Sequence, residues 1–186
     1  ILFYLPAICT STIVGTVFSK IFETNRGYLN VILRALHLDF LCQQWLATPK
    51  TALACLLFVN IWQWTGYSML MYYTNMLNIP QDLYESATID GAGSFKQFIY
   101  ITFPLLRGTH ITLIILDILG ALKFFDLSYV LTDGGPAHAT ETFSTYIYTK
   151  SFSTFQQGQA STIVVYMFLI AMVLTVIQLK IYYKKD

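Results

Sequence analysis

Apolar positions gather into four long windows, Leu2 to Phe22, Thr51 to Leu77, Thr109 to Leu131 and Ala160 to Tyr183, with more polar segments between them. Each window has roughly the ~20 residues that a helix rising ~1.5 Å per residue needs to cross ~30 Å of hydrocarbon. The pattern predicts an all-α fold: a polytopic transmembrane helical bundle with about four spans, forming one domain over residues 1–186. Two of the intervening segments, Glu23 to Pro49 and Thr132 to Gln159, contain the amphipathic stretches "YLNVILRAL" and "TETFSTYIYTKSF". These read as short helices lying along the membrane interface, and neither is long enough to span.

The segment 78–107 has a different character, because "YESATIDGAGSFKQFIYITFPLL" carries acids, small residues, a lysine and a proline between two apolar runs. Asn78 and Pro80 predict a helix start, with Asp82 and Glu85 near its positive end. The helix is expected to stop at "DGAG", where Gly91 can take the left-handed conformation after Asp90 and Ser94 can cap a second helix. Pro104 then precedes the return into the membrane. The result is two short helices joined by a glycine elbow. Its small residues, Ser86, Ala87, Gly91, Ala92 and Gly93, let a partner approach the backbone, and Glu85 offers a carboxylate to an arginine.

Composition agrees with a membrane chain: 55% of residues are hydrophobic and only 11% charged, against about 25% charged in ordinary globular domains. A formal net charge of +1, with 11 Lys and Arg scattered along the chain, excludes the concentrated basic surface that nucleic acid requires. The 3 cysteines, Cys9, Cys42 and Cys55, are too few and too irregular for a disulfide framework, and no Cys/His spacing suggests zinc. The opening "ILFYLPAICTSTIVGTVF" lacks the basic flank and cleavage site of a signal peptide, and reads as a chain cut at a membrane span. Charge bias does not orient the bundle: Lys96, Arg107, Lys180, Lys184 and Lys185 fall on one side, and Arg26, Arg34, Lys50 and Lys150 on the other.

The run Glu85, Ser86, Ala87, three residues, Gly91, nine residues, Ile101, Thr102, Phe103, Pro104 resembles the EAA signature of ABC importer permeases, E-A-A-x3-G-x9-I-x-L-P. The spacing is intact, and the departures, Ser86 for Ala and Phe103 for Leu, are mild changes of size. The segments "WQWTGYSMLMYYTNMLNIPQDLYESATIDGA" and "FDLSYVLTDGGPAHATETFSTYIY" are similar to the sugar-type permeases of binding-protein-dependent importers, the maltose and glycerol-phosphate class. The resemblance implies a type I ABC importer permease in a bacterial cell membrane, with about two N-terminal spans of a six-span subunit absent from this chain. It implies that the 78–107 loop is cytoplasmic and docks an ABC ATPase dimer through Glu85, Ser86, Ala87, Asp90, Gly91, Ala92 and Pro104. A second permease subunit, an extracytoplasmic solute-binding protein and the lipid bilayer are the other implied partners, with the carboxyl end inside. No Walker motif is present, so the chain is expected to bind no cofactor and to leave ATP hydrolysis to a separate subunit.

Polar residues within the spans are costly in hydrocarbon and mark candidate solute contacts. Asp117 lies near the middle of its window without a close cation, and Gly120 one turn on leaves room beside it. Lys123 and Asp126, spaced i,i+3, predict an internal ion pair as well as a place on the pathway. Trp62, Gln63 and Trp64 can stack on and bond a sugar ring or simply pack. A membrane aspartyl protease using Asp117 and Asp126 is excluded by spacing: nine helical residues separate the carboxylates by about 13 Å along the axis, about half a turn apart. A permease for a non-sugar solute, such as glycerol phosphate, peptide or amino acid, is the nearer alternative.

Overall fold

A computed structural model describes residues 2–183. Among the described residues the chain is helical throughout, with turns and loops but no strand. The first apolar window is not one straight helix. Residues Leu5–Ile8 (α1) and Ser11–Ile21 (α2) meet at an angle of 104°. The cause is local: Cys9 and Thr10 are extended, and the Thr10 hydroxyl accepts a hydrogen bond from the Ile13 N–H, starting a new helix instead of continuing the old one. After α2 comes the short helix Tyr28–Ala35 (α3), which matches the first interfacial stretch. Pro49 then opens Pro49–Met76 (α4), a 28-residue helix and the counterpart of the second window.

Gln81–Ile89 (α5) and Ser94–Gln97 (α6) are the two helices of the polar insert. Helix α6 runs through a π turn, Phe98–Thr102, into Phe103–Leu105 (α7), and after a 63° bend at Leu106 into Arg107–Leu122 (α8). The third window therefore ends earlier than its apolarity suggests. The chain breaks at Lys123–Phe125, and Asp126–Thr132 (α9) is a separate helix. Two side chains at the start of a later helix explain the break, because Thr142 Oγ1 donates to the Phe124 carbonyl at 2.6 Å and Ser144 Oγ to the Leu122 carbonyl at 3.4 Å. Carbonyls that an α-helix end leaves unpaired are thus satisfied.

Phe143–Tyr148 (α10) realises the second interfacial stretch and starts with a reciprocal Thr142/Thr145 capping box. Gln157–Tyr183 (α11) is the fourth window, and the one single helix among those described that is long and apolar enough to cross a membrane. The two bent pairs reach that measure only if each counts as one span. Helix α4 has the length, but Asn60, Gln63, Thr65, Ser68, Thr74 and Asn75 dilute its apolar character. The count of about four spans is therefore not reproduced as four straight apolar helices.

The core lies where α2, α4 and α9 cross, with Val14, Phe22, Cys55, Val59, Leu127 and Leu131 buried together. Helices α2 and α9 approach closely at Gly15, where an added Cβ would stand 3.0 Å from Val130 Cγ1. Asn30, 1% exposed, ties the outer segment down: its Nδ2 donates to the Thr24 and Gln43 carbonyls at 2.9 and 3.1 Å, and its Oδ1 accepts from Trp45 Nε1 at 2.8 Å. Lys184 and Lys185, counted in the charge bias, lie outside the described residues.

Candidate functional site

The polar insert folds as two helices around an elbow. The Ala92 N–H returns to the Ala87 carbonyl at 2.8 Å and the Gly91 N–H to the Thr88 carbonyl at 3.0 Å, closing α5 at its Asp90 cap. Gly91 sits at φ +76°, in the left-handed region expected for it. Ser94 does not cap the second helix. Gly93, extended at φ −69° and ψ 165°, is the residue before the helix, Ser94 is its first helical position, and no side chain caps the turn.

Glu85, Ser86 and Asp90 are exposed on α5 and its end, Ala87 is half-buried, and Ile89 is 87% exposed beside them. Tyr84 and Thr88, one turn apart, face the opposite way: the Tyr84 hydroxyl meets Thr102 Oγ1 at 2.8 Å, and Thr88 Oγ1 accepts from Gln97 Nε2 at 2.9 Å. The structure thus divides α5 into a face bound to its own protein through Tyr84 and Thr88 and a free remainder carrying acids, small residues and the exposed apolar side chains of Leu83 and Ile89. Such a free face offers a carboxylate for charge pairing and close backbone approach for packing. Pro104 follows the π turn, in which the Phe103 N–H reaches back five residues to the Phe98 carbonyl. The widened turn lies where an α-helix would drive the proline ring against the carbonyl four residues earlier. At the bend that follows, His110 joins neighbouring elements, with Nδ1 2.8 Å from the Tyr72 hydroxyl and Nε2 3.1 Å from the Phe103 carbonyl.

The second set of candidates is not assembled into one place. Asp117 and Gly120 are exposed on α8, Lys123 ends that helix, and Asp126 begins α9. The expected Lys123–Asp126 ion pair is absent, because the i,i+3 geometry requires a continuous helix and the chain breaks between them. Trp62 is 43% exposed and packs edge-on against Phe18, ring centres 5.2 Å apart. Gln63 is 1% exposed and holds the α1–α2 break, its Nε2 donating to the Cys9 carbonyl at 3.1 Å and to Ser11 Oγ at 3.4 Å. Among the described residues no group of acids, histidines and cysteines is placed to hold a metal ion.

Sequence reasoning missed a shallow, open cavity of about 460 Å³ lined by Ala121, Glu141, Thr142, Phe143, Tyr146 and Ile163. Ala121 is four residues after Asp117, so both project from one face of α8 and the cavity continues the line of that carboxylate. Glu141 is half-buried with His138 Nδ1 at 3.2 Å. An acid followed by two aromatics within "ETFSTY" was the available signal, but without the break at Lys123–Phe125 nothing linked it to α8.

The model of the family described as "Binding-protein-dependent transport system inner membrane component" matches residues 1–184. A probable ABC transporter permease protein, YurN, of Bacillus subtilis (strain 168) is 35% identical over 180 residues, covering 97% of this chain and 62% of that protein. The sulfoquinovosyl glycerol transport system permease protein SmoG of Agrobacterium fabrum is 33% identical over 172 residues, covering 92% of this chain and 55% of SmoG. The trehalose/maltose transport system permease protein MalF of Thermococcus litoralis is 33% identical over 177 residues, covering 95% of this chain and 59% of MalF. Among solved structures, a bacterial ABC transporter involved in the import of the acidic polysaccharide alginate superposes with a TM-score of 0.88 at 23% identity, over 99% of this chain and 64% of that one. The chain spans roughly three-fifths of the length of these three relatives. With the signature spacing, the two-helix elbow and the all-helical fold in place, the chain belongs to the family of inner membrane components of binding-protein-dependent transport systems.

Proposed function

We propose that this chain belongs to a permease subunit of an ATP-driven importer, forming the translocation path for a sugar or oligosaccharide. The observation that carries the reading is the free face of α5, with Glu85, Ser86 and Asp90 presented beside a glycine elbow whose residue spacing matches the EAA signature. Two relatives named for carbohydrate transport, SmoG and MalF, support the choice of solute. In this reading the subunit crosses a bacterial cell membrane several times, and residues 78–107 and the carboxyl end lie in the cytoplasm. The free face of α5 sits in a cleft of an ABC ATPase dimer, and a second permease subunit completes the path. The segments around α3 and α10 face a solute-binding protein outside.

The line of Asp117 and Ala121 along α8, continued by the cavity at Glu141, Phe143 and Tyr146, is the proposed solute-facing surface. Aromatic faces and carboxylates suit the alternating apolar and hydroxyl faces of a sugar ring. The chain supplies no catalytic group. Closure of the ATPase dimer moves α5, and rigid rotation of the attached helices alternates access from one side to the other. The test is Glu85→Lys in the full-length subunit, assembled with its partners in liposomes. In this reading Glu85 meets an arginine of the ATPase, where losing one partner of a buried pair costs on the order of 3–5 kcal/mol and reversing its sign more, so stimulated ATP hydrolysis should be lost while membrane insertion persists. Stimulation equal to wild type would remove the insert from the coupling role.

A further inference from the structure

Gln97 is absent from the signature and from the charges of the insert, yet its side chain ties both helices and the elbow together. Its Nε2 stands 2.9 Å from Thr88 Oγ1, 3.1 Å from the Ala92 carbonyl and 3.4 Å from the Tyr84 carbonyl. The Thr88 hydroxyl in turn donates to the Tyr84 carbonyl at 2.7 Å, so one amide group anchors a chain of bonds running along α5. A second tie lies further along, between the Tyr84 hydroxyl and Thr102 Oγ1, with Thr102 buried. Gln97 and Thr102 are five residues apart, which in a regular α-helix would put them about 140° apart around the axis. The π turn Phe98–Thr102 takes up the extra residue and lets both reach α5.

We infer that Gln97 is a positioning residue for energy coupling: it clamps α5 to the Ser94–Leu105 helix, so that a push on the free face of α5 moves that helix as one body instead of opening the elbow. The elbow alone cannot transmit such a push. A Cβ built on Gly91 or Gly93 would meet no atom within 4 Å, so no side chain fills the space beside these two glycines, and the Gln97 amide is the side chain that bonds both to α5 and to the elbow's own backbone at Ala92. This inference rests on the proposed docking of α5 on an ATPase.

The test compares Gln97→Leu, Gln97→Lys and Thr88→Val with Glu85→Lys, each in the full-length subunit assembled in liposomes. The readouts are co-purification of the ATPase and the ratio of solute-stimulated to basal ATP hydrolysis. Gln97→Leu keeps the size and removes the donor. It should retain the ATPase yet lower the ratio roughly fivefold or more, the equivalent of one net hydrogen bond. Gln97→Lys keeps a donor of sufficient reach and should restore most of the ratio, while Thr88→Val should give a smaller loss. A wild-type ratio in Gln97→Leu beside an uncoupled Glu85→Lys overturns the clamp and leaves the docking face standing. Equal loss in the leucine and lysine variants also overturns it. A wild-type ratio in Glu85→Lys instead removes the docking reading on which the clamp depends.

Discussion

Substitution of Gly91 isolates backbone conformation from contact. The residue stands at φ +76°, and a Cβ built on it meets no atom within 4 Å. No collision with a neighbour is therefore available to explain any effect, and the cost is that of holding an L-residue in the left-handed region, about 1–2 kcal/mol for alanine and more for a β-branched residue. A penalty of that size shifts the balance between the formed elbow and any alternative by roughly five- to thirtyfold. Asparagine enters the left-handed region readily, although its side chain is larger than alanine's. The expected order of solute-stimulated hydrolysis in liposomes is therefore wild type, then Gly91→Asn, Gly91→Ala and Gly91→Val. Thermal unfolding of the detergent-solubilised subunit should change little, because the elbow is exposed. Equal loss in the asparagine and valine variants would show that side-chain bulk against a partner, not backbone strain, governs the site and would refute the reasoning.

Three further outcomes follow from other parts of the chain. Asp117→Asn should change solute affinity or choice without loss of ATPase binding, measured by transport kinetics and co-purification; unchanged kinetics would take Asp117 off the path. A cysteine at exposed Lys96 should resist an impermeant thiol reagent in intact cells and one at exposed Ala137 should react, and the reverse would invert the proposed orientation. Asn30→Leu should cost about 1–3 kcal/mol, since two backbone carbonyls and the Trp45 indole lose their partner in a buried site; an unchanged melting temperature in detergent would contradict it.

The elements governed by local chemistry were legible in the sequence. Gly91, Pro80 and the period of "YLNVILRAL" act within a few residues, and the structure places an elbow, a helix start and a short helix where they stand. The misreadings arose where distant groups decide. Hydropathy does not register that Thr142 and Ser144 take the carbonyls at the end of α8, so the third window looked continuous. Nor does it register that Gln63, on α4, supports a bend at Cys9, 54 positions away. Residue type marks Ser94 as a cap, but Gly93 already supplies the extended backbone before the helix. For the candidate site, the exposed residues of α5 were readable from spacing. Gln97 was not, because its role depends on a π turn that carries no composition signal.

The segment between α9 and α10 also bears on how a partner can associate with this protein. Ser128 Oγ donates to the Thr140 carbonyl at 2.6 Å, Thr140 Oγ1 donates to the Gly135 carbonyl at 2.7 Å, and it meets Thr132 Oγ1 at 2.6 Å. Asp133, Gly134, Ala137 and His138 are held at positive φ inside this frame. Ordering a free backbone costs roughly 1–2 kcal/mol of conformational entropy per residue. Here that cost falls on folding, so a molecule arriving at this surface meets a shape already set and its affinity is not reduced by ordering the loop. Rapid association with little dependence on loop closure is the expected kinetic signature, and loosening the frame with Thr140→Val should slow association before it weakens the bound complex.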